Sequence, residues 1–304
     1  MRPLRGVIPI LNSAFLDNGD IDLYSQQKLV EFLLESGVGG IALFGTASEG
    51  YTLSAAERDC ILKMVLKVVN GSIPIVVSTG ATGTRLAADQ SVAAQEAGAD
   101  ALMIVPPYYL KPDGAGVRHY FETIAARVTI PIMIQDAPVM TGVTMPASLL
   151  AGLCKDAERI QYVKIEHPPT APKITAFVNE VGSAGFAFGG LNGQFLIEEV
   201  RRGSIGVMPG SDLADQFQKL WLLLEQKQYE MAQSFFNICL PLLRYELQPG
   251  LGVSTMKTNL VRRGIFKSAV VRHPTLSVDK HAIQEIDALW NQIERYQPAQ
   301  AAHS

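Results

Sequence analysis

One pattern runs through this sequence and limits its fold: a short apolar run, a loop bearing Gly, Thr, Ser or Pro, then an amphipathic stretch of helical period. It recurs about every 25 to 30 residues. The candidate strands are Val7–Leu11, Gly40–Phe44, Pro74–Ser78, Ala101–Val105, Pro131–Ile134, Tyr162–Ile165, Phe186–Phe188 and Gly206–Met208. Several are continuous apolar runs, which suits parallel strands covered on both faces. The stretches between them carry helix signals. Ser54-Ala55-Ala56-Glu57 is a capping box, in which hydroxyl and carboxylate satisfy reciprocal backbone donors. Asp20 stands before the first helix, and Gly98 closes the third after Glu96-Ala97. Eight alternations in about 225 residues fit a closed parallel barrel better than an open doubly wound sheet, and no GxGxxG follows the first strand. The expected class is therefore α/β, a (β/α)8 TIM barrel over residues 1–225. After Leu224 the strands stop. Gln226–Leu243, Val253–Arg263 and Asp279–Gln297 read as helices, so residues 226–304 form a C-terminal helical extension packed on the barrel, with a small, polar, frayed tail from Gln297.

In such a barrel the chemistry sits at the carboxyl ends of the strands and on the loops that follow. Gly45-Thr46-Ala47-Ser48-Glu49 follows the second candidate strand, Pro106-Pro107-Tyr108-Tyr109 the fourth, Gln135 and Asp136 the fifth, and Gly189-Gly190-Leu191-Asn192-Gly193 the seventh. Lys164 lies on the sixth. A lone strand lysine is ordinarily a solvated edge residue. In this company it is a candidate nucleophile, because burial disfavours the charged form and frees the amine to attack a carbonyl as a Schiff base. The Gly45–Ser48 turn offers backbone N–H groups and two hydroxyls able to hold a carboxylate, although alone it is an ordinary strand-to-helix turn. Tyr108 and Tyr109 offer phenolic protons or simply pack on a neighbour. Alternation along a strand places Tyr162 and Glu166 on the face of Lys164, with Val163 and Ile165 on the other. Glu166 is thus a candidate acid/base or an electrostatic partner of the lysine. His167 reads as a loop residue, since Pro168-Pro169 follow at once.

Composition narrows the rest. A formal net charge of −3 gives no basic excess for nucleic acid or a membrane surface. The three cysteines, Cys60, Cys154 and Cys239, are scattered without metal-ligand spacing and read as free thiols of a reducing compartment. The five histidines form no HxxxH or HExxH pair, so no protein-built metal site is expected. No leader or membrane-length apolar run is present, and the expected location is cytoplasmic.

These features together resemble the dihydrodipicolinate synthase / N-acetylneuraminate lyase superfamily, class I Schiff-base enzymes that act on pyruvate and other 2-oxo acids. The likeness spans nearly the whole chain, through Phe15–Asp22, Gly45–Arg58, Val105–Pro112, Lys164 and Gly189–Pro209. It implies that Lys164 forms the imine, that Thr46 with the backbone of Ala47 and Ser48 holds the substrate carboxylate, and that Tyr109 reaches a neighbouring subunit's site in a homotetramer, a dimer of dimers. Gln135, Gly190, Asn192 and Met208 complete the expected substrate-binding set, and no cofactor is expected. Dihydrodipicolinate synthases carry Tyr-Asn-Val-Pro-x-Arg-Thr-Gly after the fifth strand; here the segment is Gln135-Asp136-Ala137-Pro138-Val139-Met140-Thr141-Gly142. Gln135 cannot relay protons as the tyrosine does, and Met140 cannot bind a carboxylate as the arginine does. Gln-Asp-Ala-Pro, Lys-Ile-Glu, Tyr245-Glu246 and Lys257 look closer to the 2-keto-3-deoxy sugar-acid dehydratases. The expected activity is a Schiff-base lyase, dehydratase or aldolase, on a 2-keto-3-deoxy sugar acid or related 2-oxo acid, with Lys164, Glu166 and Tyr109 as catalytic groups. The alternatives are a pyruvate-dependent aldolase or synthase, or a non-catalytic 2-oxo-acid binder.

Overall fold

The computed structural model describes residues 3–296. The expected frayed tail beyond Tyr296, and the last residue of the expected final helix, lie outside the described residues. Eight strands form one parallel sheet: β1 (Gly6–Val7), β2 (Ile41–Leu43), β3 (Ile75–Ser78), β4 (Ala101–Ile104), β5 (Ile132–Asp136), β6 (Ile160–Ile165), β7 (Phe186–Gly189) and β8 (Ser204–Val207). Their order is β1-β8-β7-β6-β5-β4-β3-β2. Backbone hydrogen bonds from Gly39 N–H to Val7 O (2.8 Å), Ala42 N–H to Pro9 O (2.9 Å) and Leu11 N–H to Ala42 O (2.8 Å) join β2 to the chain after β1 and close the barrel. A helix follows each strand's loop, as parallel crossovers require. The fold is a (β/α)8 barrel.

Alternation along each strand separates two packed layers. Ile8, Ile10, Ala42, Val76, Met103, Met133, Tyr162, Phe188 and Met208 fill the interior. Val7, Ile41, Leu43, Val77, Ile104, Ile134, Val163 and Ile165 face the helices. Tyr162 completes the lower interior: its hydroxyl accepts Leu4 N–H at 3.2 Å, and its ring meets Phe188 edge-on with centroids 5.9 Å apart. Truncating Phe188 to Ala would cost about 3–5 kcal/mol, because this layer cannot collapse around the void.

Two local expectations are corrected. The first strand is not a continuous Val7–Leu11 run but Gly6–Val7 plus an isolated bridge at Ile10, since Pro9 lacks the N–H that a ladder needs. The first helix, Leu23–Glu35, is capped by Asp22, whose carboxylate accepts from Tyr24 and Ser25 N–H. Asp20 instead belongs to the preceding turn, where its carboxylate accepts from Asn18 Nδ2 at 2.8 Å. The Ser54/Glu57 capping box and the left-handed Gly98 cap (φ 109°) form as read.

Three helices follow the helix after β8: Tyr229–Glu246, Gly252–Arg262 and Lys280–Arg295. The link from Arg262 to Lys280 is tied back by Arg272, which donates to Gly19 O (2.7 Å), Thr52 O (3.2 Å) and the Glu57 carboxylate (2.5 Å). Leu276 N–H in the same link donates to Gly250 O at 3.0 Å, and the corner between the first two helices lies over the carboxyl ends of the strands. Among the described residues no helix is long and apolar enough to cross a membrane.

Candidate active site

A cavity of about 470 Å³ opens at that end of the barrel. Lys164, Glu166, Gln135, Thr46, Ala47, Asn192 and Met208 line it, joined by Val139, Met140 and the corner Leu247–Met256. Lys164 is only 3% exposed, and its backbone pairs with Gln135 of β5 and Phe188 of β7. Its Nζ lies 3.3 Å from Glu166 Oε1.

Glu166 is held on every side. Oε1 also accepts Leu191 N–H at 3.1 Å, and Oε2 accepts Gln135 Nε2 at 2.7 Å. Its own N–H donates to Asp136 O at 2.9 Å. A Cβ at Gly190 would stand 2.2 Å from Glu166 Cγ, so the close approach of the β7 turn requires glycine there. Six non-glycine residues have positive φ among those described, and four of them, Phe44, Glu49, Leu191 and Asn192, sit in the turns after β2 and β7. Strain of this kind collects where backbone must aim groups at a site.

After β2, Thr46–Ser48 form a single 3-10 turn. Asn12 Nδ2 donates to Ala47 O (2.8 Å) and Ser13 Oγ to Ser48 O (2.6 Å), fixing the turn from beneath. Thr46 and Ala47, at its start, keep the backbone donors such a turn leaves unused. Ser48 does not share that position. Its N–H is committed to Gly45 O at 3.1 Å and its side chain is buried away from the cavity, so it corrects the expectation of a Ser48 contact. Thr46 Oγ1 lies 3.2 Å from Met140 Sδ.

Tyr109, expected to reach a neighbouring subunit's site, is 82% exposed and does not line this chain's own cavity. Asp136 is fully buried on the opposite face of β5, paired with Lys173 Nζ at 2.6 Å. Burial raises its carboxyl and Lys173 pulls it back. Lys173 also donates to Met145 O (2.7 Å) and meets His167 Nδ1 (3.1 Å), which gives His167 a structural place.

Sequence reasoning singled out Asn192 and, by resemblance, Glu246, but not the group of buried polar residues that joins them. Asn192 Nδ2 donates to Glu246 Oε2 (2.5 Å), and Asn259 Nδ2 bridges Asp212 Oδ2 (2.7 Å) and Glu246 Oε1 (3.1 Å). Asp212, just beyond β8, was open to the strand-end rule. Glu246 and Asn259 sit on helices that no strand pattern reaches.

A profile of the dihydrodipicolinate synthetase family matches residues 3–293. L-2-keto-3-deoxyarabonate dehydratase of Azospirillum brasilense is 28% identical over 95% of this chain and 94% of its own length. A 4-hydroxy-tetrahydrodipicolinate synthase of Fervidobacterium nodosum is 37% identical, over 48% of this chain and 50% of its own. A putative 2-dehydro-3-deoxy-D-gluconate aldolase of Escherichia coli is 32% identical over 52% of this chain and 53% of its own. The chain thus aligns with about half the length of these last two. Among solved structures, dihydrodipicolinate synthase of Rhodopseudomonas palustris superposes with a TM-score of 0.89 at 29% identity, covering 95% of this chain and 97% of that one. A barrel of this closure, with its lysine on β6 and a family match over almost its full length, leaves one assignment: the chain belongs to the dihydrodipicolinate synthetase family.

Proposed function

We propose that this protein is a class I Schiff-base lyase that dehydrates, or cleaves, a 2-keto-3-deoxy sugar acid or related 2-oxo acid at Lys164. The observation that carries the reading is the Lys164–Glu166 contact of 3.3 Å inside the cavity, beside the Thr46 turn. The neutral amine attacks the C2 carbonyl, water leaves, and the resulting iminium withdraws electrons from C3. Thr46 Oγ1 and the Thr46 and Ala47 N–H groups receive the C1 carboxylate. Glu166 takes a C3 proton to give the enamine. The enamine then expels the C4 hydroxyl as water, with Glu166 returning the proton; in the aldol sense the iminium instead takes up the C3–C4 bonding pair directly as the C4 hydroxyl loses its proton, and the enamine left behind is protonated at C3. Hydrolysis of the iminium returns Lys164.

Gln135 supports Glu166 as the base. It occupies the position where the synthases carry a proton-relaying tyrosine, and it gives its amide to Glu166 Oε2 instead. Dehydration is the favoured branch, because a dehydratase aligns over 94% of its own length while the putative aldolase aligns over 53% of its own. Met140 and Val139 at the mouth offer no cationic anchor, which speaks against a second substrate carrying its own carboxylate.

The same reading takes the protein as a cytoplasmic homotetramer, a dimer of dimers, in which Tyr109 enters a neighbour's cavity. The exposure of Tyr109 (82%) and Leu110 (78%) supports a partner surface there. Light scattering checks the mass.

Incubation with 2-keto-3-deoxy-pentonate and -hexonate, read by mass spectrometry, tests the reaction: loss of water marks dehydration and released pyruvate marks cleavage. Borohydride should fix the substrate on Lys164. If Lys164→Ala still gains the same mass at the same site, the nucleophile is another group.

A further inference from the structure

Asp212, Glu246 and Asn259 are buried where the barrel rim meets the helical corner, and no step above uses them. The Asn259 amide nitrogen touches both acids, at 2.7 Å and 3.1 Å, so the two carboxyl groups are near neighbours. Among the described residues neither carboxylate forms an ion pair with a cation. The Arg263 guanidinium beside them is spent on Asp212 O (2.9 Å) and on both carboxylate oxygens of Asp215 (2.9 and 2.7 Å). Two adjacent, almost fully buried acids do not readily both ionise. Burial, then repulsion by Asp212, raises Glu246 well above its ordinary value, and burial raises Asp212 as well. The pair therefore favours sharing a proton over both groups ionising. Asp212 Oδ1, which has no donor of its own, is open to receive it from Glu246.

The pair acts on Asn192. Glu246 Oε2 takes one N–H of the Asn192 amide at 2.5 Å, and Gly210 N–H donates to Asn192 Oδ1 at 2.8 Å. With the oxygen and one hydrogen committed, the amide cannot flip, and one N–H remains for the cavity that Asn192 lines. The neighbouring Leu191 N–H holds Glu166 at 3.1 Å. One strained turn thus bonds Glu166, the lysine's neighbour, through its backbone and an acid anchored outside the barrel through its side chain.

We propose that Glu246, clamped by Asp212 and Asn259, is a positioning residue that fixes the Asn192 amide as the donor reading a hydroxyl oxygen beyond C3 of the substrate. This rests on the 2-oxo-acid reading of Lys164 and deepens it: the preferred substrate carries a hydroxyl at C4 or C5. Asn192 touches substrate; Glu246 also borders the cavity, but its two oxygens are taken by Asn192 and Asn259, so it acts through Asn192.

Borohydride trapping at Lys164 tests this with two probes, pyruvate, which ends at C3, and 2-keto-3-deoxypentonate, which has hydroxyls at C4 and C5. In the wild type the pentonate should half-saturate at a lower concentration than pyruvate. Asn192→Ala and Glu246→Ala should raise the pentonate value about tenfold more than the pyruvate value, the worth of one hydrogen bond. Glu246→Gln should stay within about threefold of wild type, because its carbonyl still accepts from Asn192 and its amide can donate to Asp212, at the loss only of the longer Asn259 contact (3.1 Å), while Asn259 keeps Asp212 Oδ2 at 2.7 Å. Equal shifts for both probes in Glu246→Ala, no shift for either, or a Glu246→Gln as impaired as Glu246→Ala overturns the positioning role. If Glu246→Ala does not fold, a selective loss in Asn192→Ala with retention in Glu246→Gln upholds it, and any other pattern in those two overturns it. A wild type trapped equally well by both probes sinks the inference alone, whereas one trapped by neither sinks the Lys164 reading beneath it.

Discussion

Lys164 and Lys257 each lie against a glutamate, and their surroundings part company from there. Lys164 Nζ sits 3.3 Å from Glu166 Oε1 with the cavity in front of it. Lys257, on the helix Gly252–Arg262, contacts Glu49 Oε1, donates to Val270 O at 2.8 Å and stands 4.1 Å from the Phe15 ring centroid, with neither partner of the pair reached by solvent. Burial brings Lys257 down to about 8, against the opposing pull of Glu49. By burial alone Lys257 is the better candidate for a free amine. What it lacks is a path to any carbonyl. Its ammonium is surrounded by protein acceptors, and it staples the helical extension to the residue that follows the Thr46 turn. Desolvation prepares an amine, but access decides whether it can react.

The widest separation between the two lysines should come from deleting each. Lys164→Ala should lose about 10⁴-fold or more in kcat and all borohydride trapping while unfolding in urea close to wild type. Lys257→Ala should do the reverse. It strands a buried Glu49 carboxylate and should cost about 3–5 kcal/mol of stability by urea titration, with trapping at Lys164 retained in the folded fraction. A Lys257→Ala protein that is fully stable yet untrappable would collapse the contrast. Next in size, Glu166→Gln should lower kcat by about 10²–10⁴-fold while pyruvate still adds to Lys164, separating proton transfer from imine formation.

Glu199 sharpens the comparison from the acid side. Behind β7, its carboxyl accepts from Thr170 Oγ1 at 2.6 Å and pairs with no cation among the described residues, and burial lifts it from 4.5 to about 7. The folded chain then holds a proton that the unfolded chain releases, so stability falls as pH rises from 4.5 through 7. The loss amounts to roughly 3 kcal/mol, and Glu199→Gln should remove that slope from the urea midpoint. The smallest effect belongs to Glu57, which its hydrogen bond with Arg272 brings down from 4.5 to about 2. Its contribution is present above pH 4.5 and lost as pH falls toward 2. With both side chains partly exposed, Glu57→Gln should cost about 1 kcal/mol or less at pH 7 and nothing at pH 2.

The barrel and the strand-end residues were legible because both follow local rules. Apolar runs gave the eight strands, and period-two alternation put Tyr162, Lys164 and Glu166 on one face without any knowledge of distant contacts. What escaped depends on chain segments far apart in sequence. Asn259 reaches Asp212 across 47 positions, and Asn192 reaches Glu246 across 54. No periodicity encodes such meetings. The overlong first strand and the misplaced Asp20 cap are failures of another kind: Pro9 and the Asn18–Asp20 turn were visible, but runs of apolar and acidic residues were weighted above the missing N–H and the turn chemistry. Ser48 was expected to offer its backbone N–H with that of Ala47, whereas the 3-10 turn spends that N–H on Gly45 O.

Since Leu247–Met256 forms one wall of the cavity while Lys164, Glu166 and Gln135 form another, a division of labour is built into the architecture. The bond-making machinery is bolted to the strands, and the corner between two helices is a replaceable faceplate. Transplanting that stretch from a relative should retune which compounds are accepted while the covalent chemistry stays as it is, giving laboratory evolution a short, contiguous window in which to work.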